Sequence, residues 1–142
     1  VVYNRLTTRK LENNPRVQHF LKEVKSRYGS AVFNEKYLDK TDVFDALKQD
    51  ASLIRYLPES HLFKNYQMLR SMTSRHPVVF LKPITGSLGK GIIRISRSGG
   101  QYVCLSAGLN GTIRQTFPSL ESLFSSLSGK LKQRRYQIQQ GL

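Results

Sequence analysis

Apolar positions in the first half of the chain follow a helical period. Val17, Phe20, Leu21, Val24 and Tyr28 lie on one face, predicting an amphipathic helix over Pro15–Tyr28. Pro15 suits its first turn and Gly29 its C-terminal stop. Val1–Tyr3 and Ala31–Asn34 read as short strands on either side, with the basic segment Asn4–Lys10 between the first strand and the helix. Val43, Phe44 and Leu47 predict a second helix over Lys40–Gln49, with Asp39 or Thr41 as its cap. Leu53–Leu57 reads as a brief extended piece ending at Pro58. A third helix is expected after Ser60, with Leu62, Phe63, Tyr66, Leu69 and Met72 as its buried stripe.

The period changes after Pro77. Val78–Lys82 is a compact apolar strand, 85–91 is glycine-rich, and 91–96 is a second strand with Ile93 and Ile95 on one face. Ser98-Gly99-Gly100 signals a hairpin turn before Tyr102–Leu105, and Asn110-Gly111 another before Thr112–Phe117. Leu120, Leu123, Phe124, Leu127 and Leu131 predict a helix over about 118–131, and Tyr136–Gln140 is a last strand. A helical first half followed by an antiparallel sheet with one helix is an α+β arrangement.

Composition changes this picture in one respect. Among 142 residues, Lys and Arg number 23 against 9 Asp and Glu, a formal net charge of +14. Such a surface attracts polyanions, whether nucleic acid, an anionic surface or phosphates, or it is a generally basic surface with no single partner. Lys130, Lys132, Arg134 and Arg135 form the tightest basic cluster. Eight of the nine acids precede Lys82, leaving only Glu121 after it. One cysteine, Cys104, in an alternating apolar stretch, reads as a core residue; it excludes a disulfide framework and fits a reducing, cytoplasmic setting. No apolar run reaches the ~18–20 residues needed to span a bilayer. His19, His61 and His76 read as surface residues without metal-site spacing. Val1 is not an initiator Met, so the chain reads as cut from something longer.

The candidate chemistry lies in the run from Phe80 to Arg94, which reads as strand, glycine loop, strand. A triphosphate needs backbone N–H groups that approach closely, which glycines permit, and fixed positive charge. Lys82 ends a strand, Lys90 sits in the loop, and Ser87 adds a hydroxyl donor. Better-known glycine motifs do not fit. A P-loop would need Gly where Ile84 stands and Ser or Thr where Gly91 stands. A Rossmann fingerprint opens a helix with its glycines in the reverse order. Gly86 to Gly89 contains a GXXG, but the corresponding RNA-binding loop joins helices, and this one joins strands. The plain alternative is a glycine-rich hairpin with no ligand and Lys90 a solvated lysine.

Several short motifs occur in order: Asn4-Arg5, Phe33-Asn34, Leu38-Asp39-Lys40, Tyr56-Leu57-Pro58-Glu59-Ser60, Leu81-Lys82-Pro83, Gly86-Ser87-Leu88-Gly89-Lys90-Gly91-Ile92 and Gln139-Gln140-Gly141. Together they resemble the YheC/YheD family, endospore coat-associated proteins of ATP-grasp type, over nearly the whole chain. Ser60 stands where that pattern has Thr.

The resemblance implies a division of the chain. Residues 40–142 would be the small ATP-grasp subdomain that holds ATP, and residues 1–39 the C-terminal part of a preceding domain. Lys82 and Lys90 would neutralise the phosphates, while Gly86, Ser87, Gly89 and Gly91 would shape the loop. Backbone groups near Gln139, Gln140 and Leu142 would meet the adenine edge. Phe80, on the face of Lys82 by strand alternation, would support the base. The reaction implied for the whole protein is carboxylate activation through an acyl phosphate followed by attack of an amine. The acceptor is not named by the sequence. Mg²⁺ is implied too, with its ligands in a large subdomain not contained here, so this chain alone is expected to be inactive. Spore coat components would be further partners. Apolar surface beside Ile84, Ile92 and Leu142 is expected to be exposed and to favour self-association. Two other readings compete: a basic nucleic-acid-binding module, with affinity falling steeply with salt, and a structural coat protein without catalysis.

Overall fold

The computed structural model describes residues 1–36, 39–85, 89–108 and 111–142. The chain divides into two compact units, Val1–Leu38 and Asp39–Leu142. Among the described residues no helix is long and apolar enough to cross a membrane.

In the first unit, strand β1 (Val2–Tyr3) is followed by helices α1 (Arg9–Glu12) and α2 (Pro15–Tyr28), then by strand β2 (Val32–Phe33). The α2 bounds are those predicted. Asn14 caps it by accepting from Arg16 N, Pro15 occupies its first turn, and Gly29 ends it at φ +58°. β1 and β2 pair in parallel, Tyr3 beside Phe33, so the unit is a β-α-β arrangement. The segment expected to be merely basic contains α1, capped by the Thr8 hydroxyl, which accepts from Leu11 N.

The second unit runs α3 (Lys40–Lys48), α4 (Ala51–Ile54), β3 (Ser60–Leu62), α5 (Tyr66–Arg75), β4 (Val78–Pro83), β5 (Ile93–Ser98), β6 (Gln101–Gly108), β7 (Gly111–Phe117), α6 (Leu120–Gln133) and β8 (Tyr136–Gln140). Its sheet has the order β3-β8-β4-β5-β6-β7, and every neighbouring pair among the described strands is antiparallel. The fold is α+β, as the change of period predicted.

Two local readings are corrected. Leu53–Leu57 is not extended; Asp50 accepts from Ser52 N and starts the short helix α4. Leu62 and Phe63 do not belong to the third helix. Ser60–Leu62 is an edge strand on β8, and the helix begins only at Tyr66, where the Asn65 side chain accepts from Met68 N. Phe63 packs against the core together with Tyr66, Leu69 and Met72, whereas Leu62 pairs with Gln137 on the opposite face, so the stripe is not a single helical face.

That core lies on one face of the sheet. Leu69 and Met72 of α5 and Leu120, Leu123 and Leu127 of α6 pack on Val79, Leu81, Ile93, Ile95, Cys104 and Ile138. Ile84, expected to be exposed, is buried: its N–H donates to Arg135 O and its carbonyl accepts from Lys40 N. Ile92 is half-buried, whereas the Leu142 side chain is fully exposed. No α3 residue is fully buried: Phe44 and Leu47 are half-buried, and Val43 is exposed.

Candidate functional site

Strand alternation divides β4 between two environments. Val79, Leu81 and Pro83 are buried, Val79 and Leu81 in the core, while Phe80 and Lys82 point to the opposite face and stay half-buried. Register places Gln139 of β8 opposite Phe80, and Gln137 opposite Lys82. Phe80, Lys82, Gln137 and Gln139 therefore share the face that α5 and α6 leave free.

Lys82 is the centre of this face. Its Nζ donates to Gln139 Oε1 and lies 5.4 Å from the centroid of the Phe80 ring. Burial lowers its pKa from the ordinary lysine value, and the nearby Lys40 lowers it further. A desolvated ammonium with a neutral amide as partner and a second cation beside it is electrostatically incomplete; an anion would complete it.

Lys40 was not picked out as a site residue from the sequence. Its Nζ donates to Pro83 O at 2.9 Å, which fixes the start of α3 against the end of β4. There was a signal for it. A lysine directly after an Asp cap sits at the positive end of a helix dipole, where cations are disfavoured. Asp39 is indeed the cap, accepting from Asp42 N at 2.9 Å. Its pKa is held down by hydrogen bonds from Thr41 and then from the Asp42 backbone.

Of the predicted loop, Gly86 and Ser87 lie outside the described residues, as do Leu38, Leu88 and Asn110, which the motifs and turns included. Gly89 and Gly91 lie in the left-handed region at φ +70° and +78°. Gly91 also passes close to β4: a Cβ there would stand 3.1 Å from Pro83 Cγ. Glycine at this position returns the loop to the strand that carries Lys82. Lys90 is exposed, and among the described residues it has no hydrogen-bond or ion-pair partner. The structure thus brings Phe80, Lys82 and Gln139 together, with Lys90 exposed in the loop that follows.

Gln140 does something the sequence did not show. Its side-chain Oε1 accepts from Glu59 N at 3.0 Å, and its own N–H donates to Glu59 O at 2.8 Å. Gly141 N–H donates to Val78 O at 2.8 Å. These two N–H groups are spent inside the fold, whereas among the described residues Leu142 N–H has no partner. Glu59 in turn accepts from His76 Nε2 and Arg75 Nη2, both at 2.7 Å, and from His61 Nε2 at 2.9 Å. His76, expected at the surface, is only 16% exposed in its side chain. The Glu59 pKa is lowered to about 2, mainly by the His76 bond, with His61 and Arg75 adding to it against the cost of burial.

Among the described residues no group of three or more His, Cys, Asp or Glu could hold a metal ion. Between α3 and the β3–β8 edge lies a polar cleft of about 450 Å³ lined by Asp42, Asp45, Lys48, Arg135 and Gln137. The Gln137 Oε1 is buried and has no hydrogen-bond partner among the described residues.

No solved structure matches the chain. The endospore coat-associated protein YheD of Bacillus subtilis (strain 168) is 32% identical over 100 residues, which is 70% of this chain and 22% of that relative. The chain therefore spans about a fifth of the length of the curated relative it matches. Residues 29–142 match the family described as YheC/D like ATP-grasp. With four-fifths of its length inside that match, the chain belongs to the YheC/D-like ATP-grasp family.

Proposed function

We propose that residues 40–142 are the small nucleotide-binding subdomain of an ATP-grasp protein and hold ATP on the free face of the sheet, with residues 1–39 the C-terminal part of the preceding domain. The observation that carries this reading is Lys82, desolvated beside Phe80 and Lys40 and bonded to a neutral amide. In this reading Lys82 and Lys40 meet the phosphates. Loop residues Gly86, Ser87, Gly89, Lys90 and Gly91 are assigned from the sequence to supply backbone N–H donors and charge to them. Phe80 supports the base, and Leu142 N–H, beyond Gln139 and Gln140, meets the adenine edge.

Mg²⁺ fits this chain poorly, because the described residues hold no carboxylate cluster for it. Its ligands are proposed to lie in another part of the protein. The activity proposed for the whole protein is ATP-dependent joining of a carboxylate to an amine, and an association with the endospore coat is proposed from the name of the relative.

Calorimetric titration with ATP and Mg²⁺ tests the reading. Saturable binding that weakens about tenfold or more in Lys82→Ala is expected, since a lost charge-assisted bond of ~1.5–3 kcal/mol is at least that factor. Absence of saturable binding, or binding indifferent to Lys82→Ala, would refute it. Tighter, steeply salt-dependent binding of single-stranded nucleic acid would put the basic surface in its place.

A further inference from the structure

Helix α3 is tied down at both of its ends. Lys40 Nζ donates to Pro83 O at 2.9 Å, and Lys48 Nζ donates to Ser60 O at 3.0 Å. Between these ties the helix stands off the sheet, and the gap is the polar cleft of about 450 Å³. Gln137 lines it from the sheet side, where the register sets it between Leu62 of β3 and Lys82 of β4.

Gln137 is the observation that makes this cleft a site. It is only 1% exposed, and its Oε1 is buried with no hydrogen-bond partner among the described residues. A buried amide oxygen left without a donor is costly, and native folds leave few of them. The cleft is also far larger than the ~30 Å³ share of one water in the liquid, so it has room for a molecule that brings the missing donor. The rest of the lining narrows the class. The Asp45 carboxylate, which has no hydrogen-bond or ion-pair partner among the described residues, only accepts, whereas the Arg135 guanidinium only donates. A small cation would meet Arg135 and a small anion would meet Asp45, so neither sign is favoured. A hydroxyl suits all three groups, because it donates to Gln137 Oε1 or Asp45 and accepts from Arg135. Phe44 and Leu62, both half-buried in the lining, offer apolar surface to C–H groups.

We propose that this cleft binds a neutral polyol the size of one sugar ring, through a vicinal diol that donates to Gln137 Oε1 and to Asp45. The inference does not depend on the ATP reading, since it uses neither Lys82 nor the glycine loop. Two sources carry such a diol: the ribose of a bound nucleotide and a separate sugar.

The test is NMR of the 142-residue chain titrated with D-ribose, with glycine and sodium acetate as charged references. Saturable shifts are expected at the backbone amides of Asp45, Leu62 and Gln137 and at the Gln137 side-chain amide. Asp45→Asn, at an exposed position that leaves the fold intact, should weaken binding about tenfold by loss of a charge-assisted bond. Gln137→Met keeps the volume and removes the acceptor, so it should abolish saturation; if that variant does not fold, Asp45→Asn decides alone. Loss of the ribose shifts on adding ATP, but not on adding a dideoxy-ATP that lacks both ribose hydroxyls, would identify the nucleotide's own sugar as the occupant. Persistence with both would identify a separate sugar, and loss with both would assign the cleft to another part of the nucleotide and overturn the diol. Shifts that rise in proportion to sugar without saturating, indifference to Asp45→Asn, tighter binding of glycine or acetate, or no shift at all, which leaves the cleft to water, would each overturn the assignment.

Discussion

Gly141 runs so close to Val78 that a Cβ built on it would stand 2.6 Å from Val78 Cγ1 and 3.0 Å from Val78 O. The contact locks the chain leaving β8 onto the start of β4, and the Gly141 N–H bond to Val78 O completes the lock. The backbone oxygen cannot move aside as a flexible side chain would. Gly141→Ala should therefore destabilise the second unit by ~1–3 kcal/mol, the usual cost of forcing atoms into a packed region. Urea denaturation monitored by tyrosine fluorescence measures it, and an unchanged midpoint would show that the strand end relaxes freely.

Glu59 joins three basic side chains to the backbone of Gln140, and its depressed pKa makes the fold sensitive to acid. The sign follows from the direction of the shift. A carboxylate whose folded pKa is about 2, below its ordinary 4.5, adds stability that is fully present above pH 4.5. That stability is lost as pH falls from 4.5 through about 2. One proton sets a slope of at most about 1.4 kcal/mol per pH unit. Urea midpoints across this range should fall more steeply for the native chain than for Glu59→Gln. Parallel curves would mean that the His76 and Arg75 bonds contribute nothing.

Lys82 shows the same sign of linkage in the alkaline range. Burial and Lys40 depress its pKa below 10.5, so between the folded pKa and 10.5 the unfolded chain binds more protons and stability rises with pH. An anion bound at Lys82 would raise the pKa again. ATP binding in that alkaline window should then take up protons, measurable as a dependence of the calorimetric heat on buffer ionisation enthalpy. The uptake should vanish in Lys82→Met. Proton release, or no exchange, would place the phosphates elsewhere.

Cys104 is 1% exposed on the core face of β6, and burial raises its thiol pKa. A thiolate is the reactive form, so this cysteine should ignore a thiol-exchange disulfide reagent in the native protein. It should react fully in denaturant. Fast labelling without denaturant would reveal that β6 opens readily.

The Ser119 cap gives a local test of α6. Its hydroxyl accepts from Ser122 N at 3.1 Å, while the Ser122 hydroxyl meets Ser119 N in return. Ser119→Ala should cost about 1 kcal/mol in urea denaturation. An unchanged midpoint would show that solvent replaces the cap.

What the sequence alone determined was set by neighbours a few residues apart. The α2 bounds followed from apolar spacing, Pro15 and Gly29, and the α+β class from the change of period at Pro77. Alternation alone put Phe80 beside Lys82, because a strand turns successive side chains to opposite faces. What the tertiary structure decided involves residues far apart in the chain. Lys82 and Gln139 meet across 57 positions, and Glu59 and Gln140 across 81. Ser60–Leu62 became a strand rather than the start of a helix because β8 offers it a ladder of backbone bonds, a partner that no local pattern reveals. Lys40 came to Lys82 for the same reason: α3 docks on the carbonyls of Pro83 and Ile84. Local propensity can write an element, but pairing and burial choose between elements of similar local energy, and they also decide which charges are left without water.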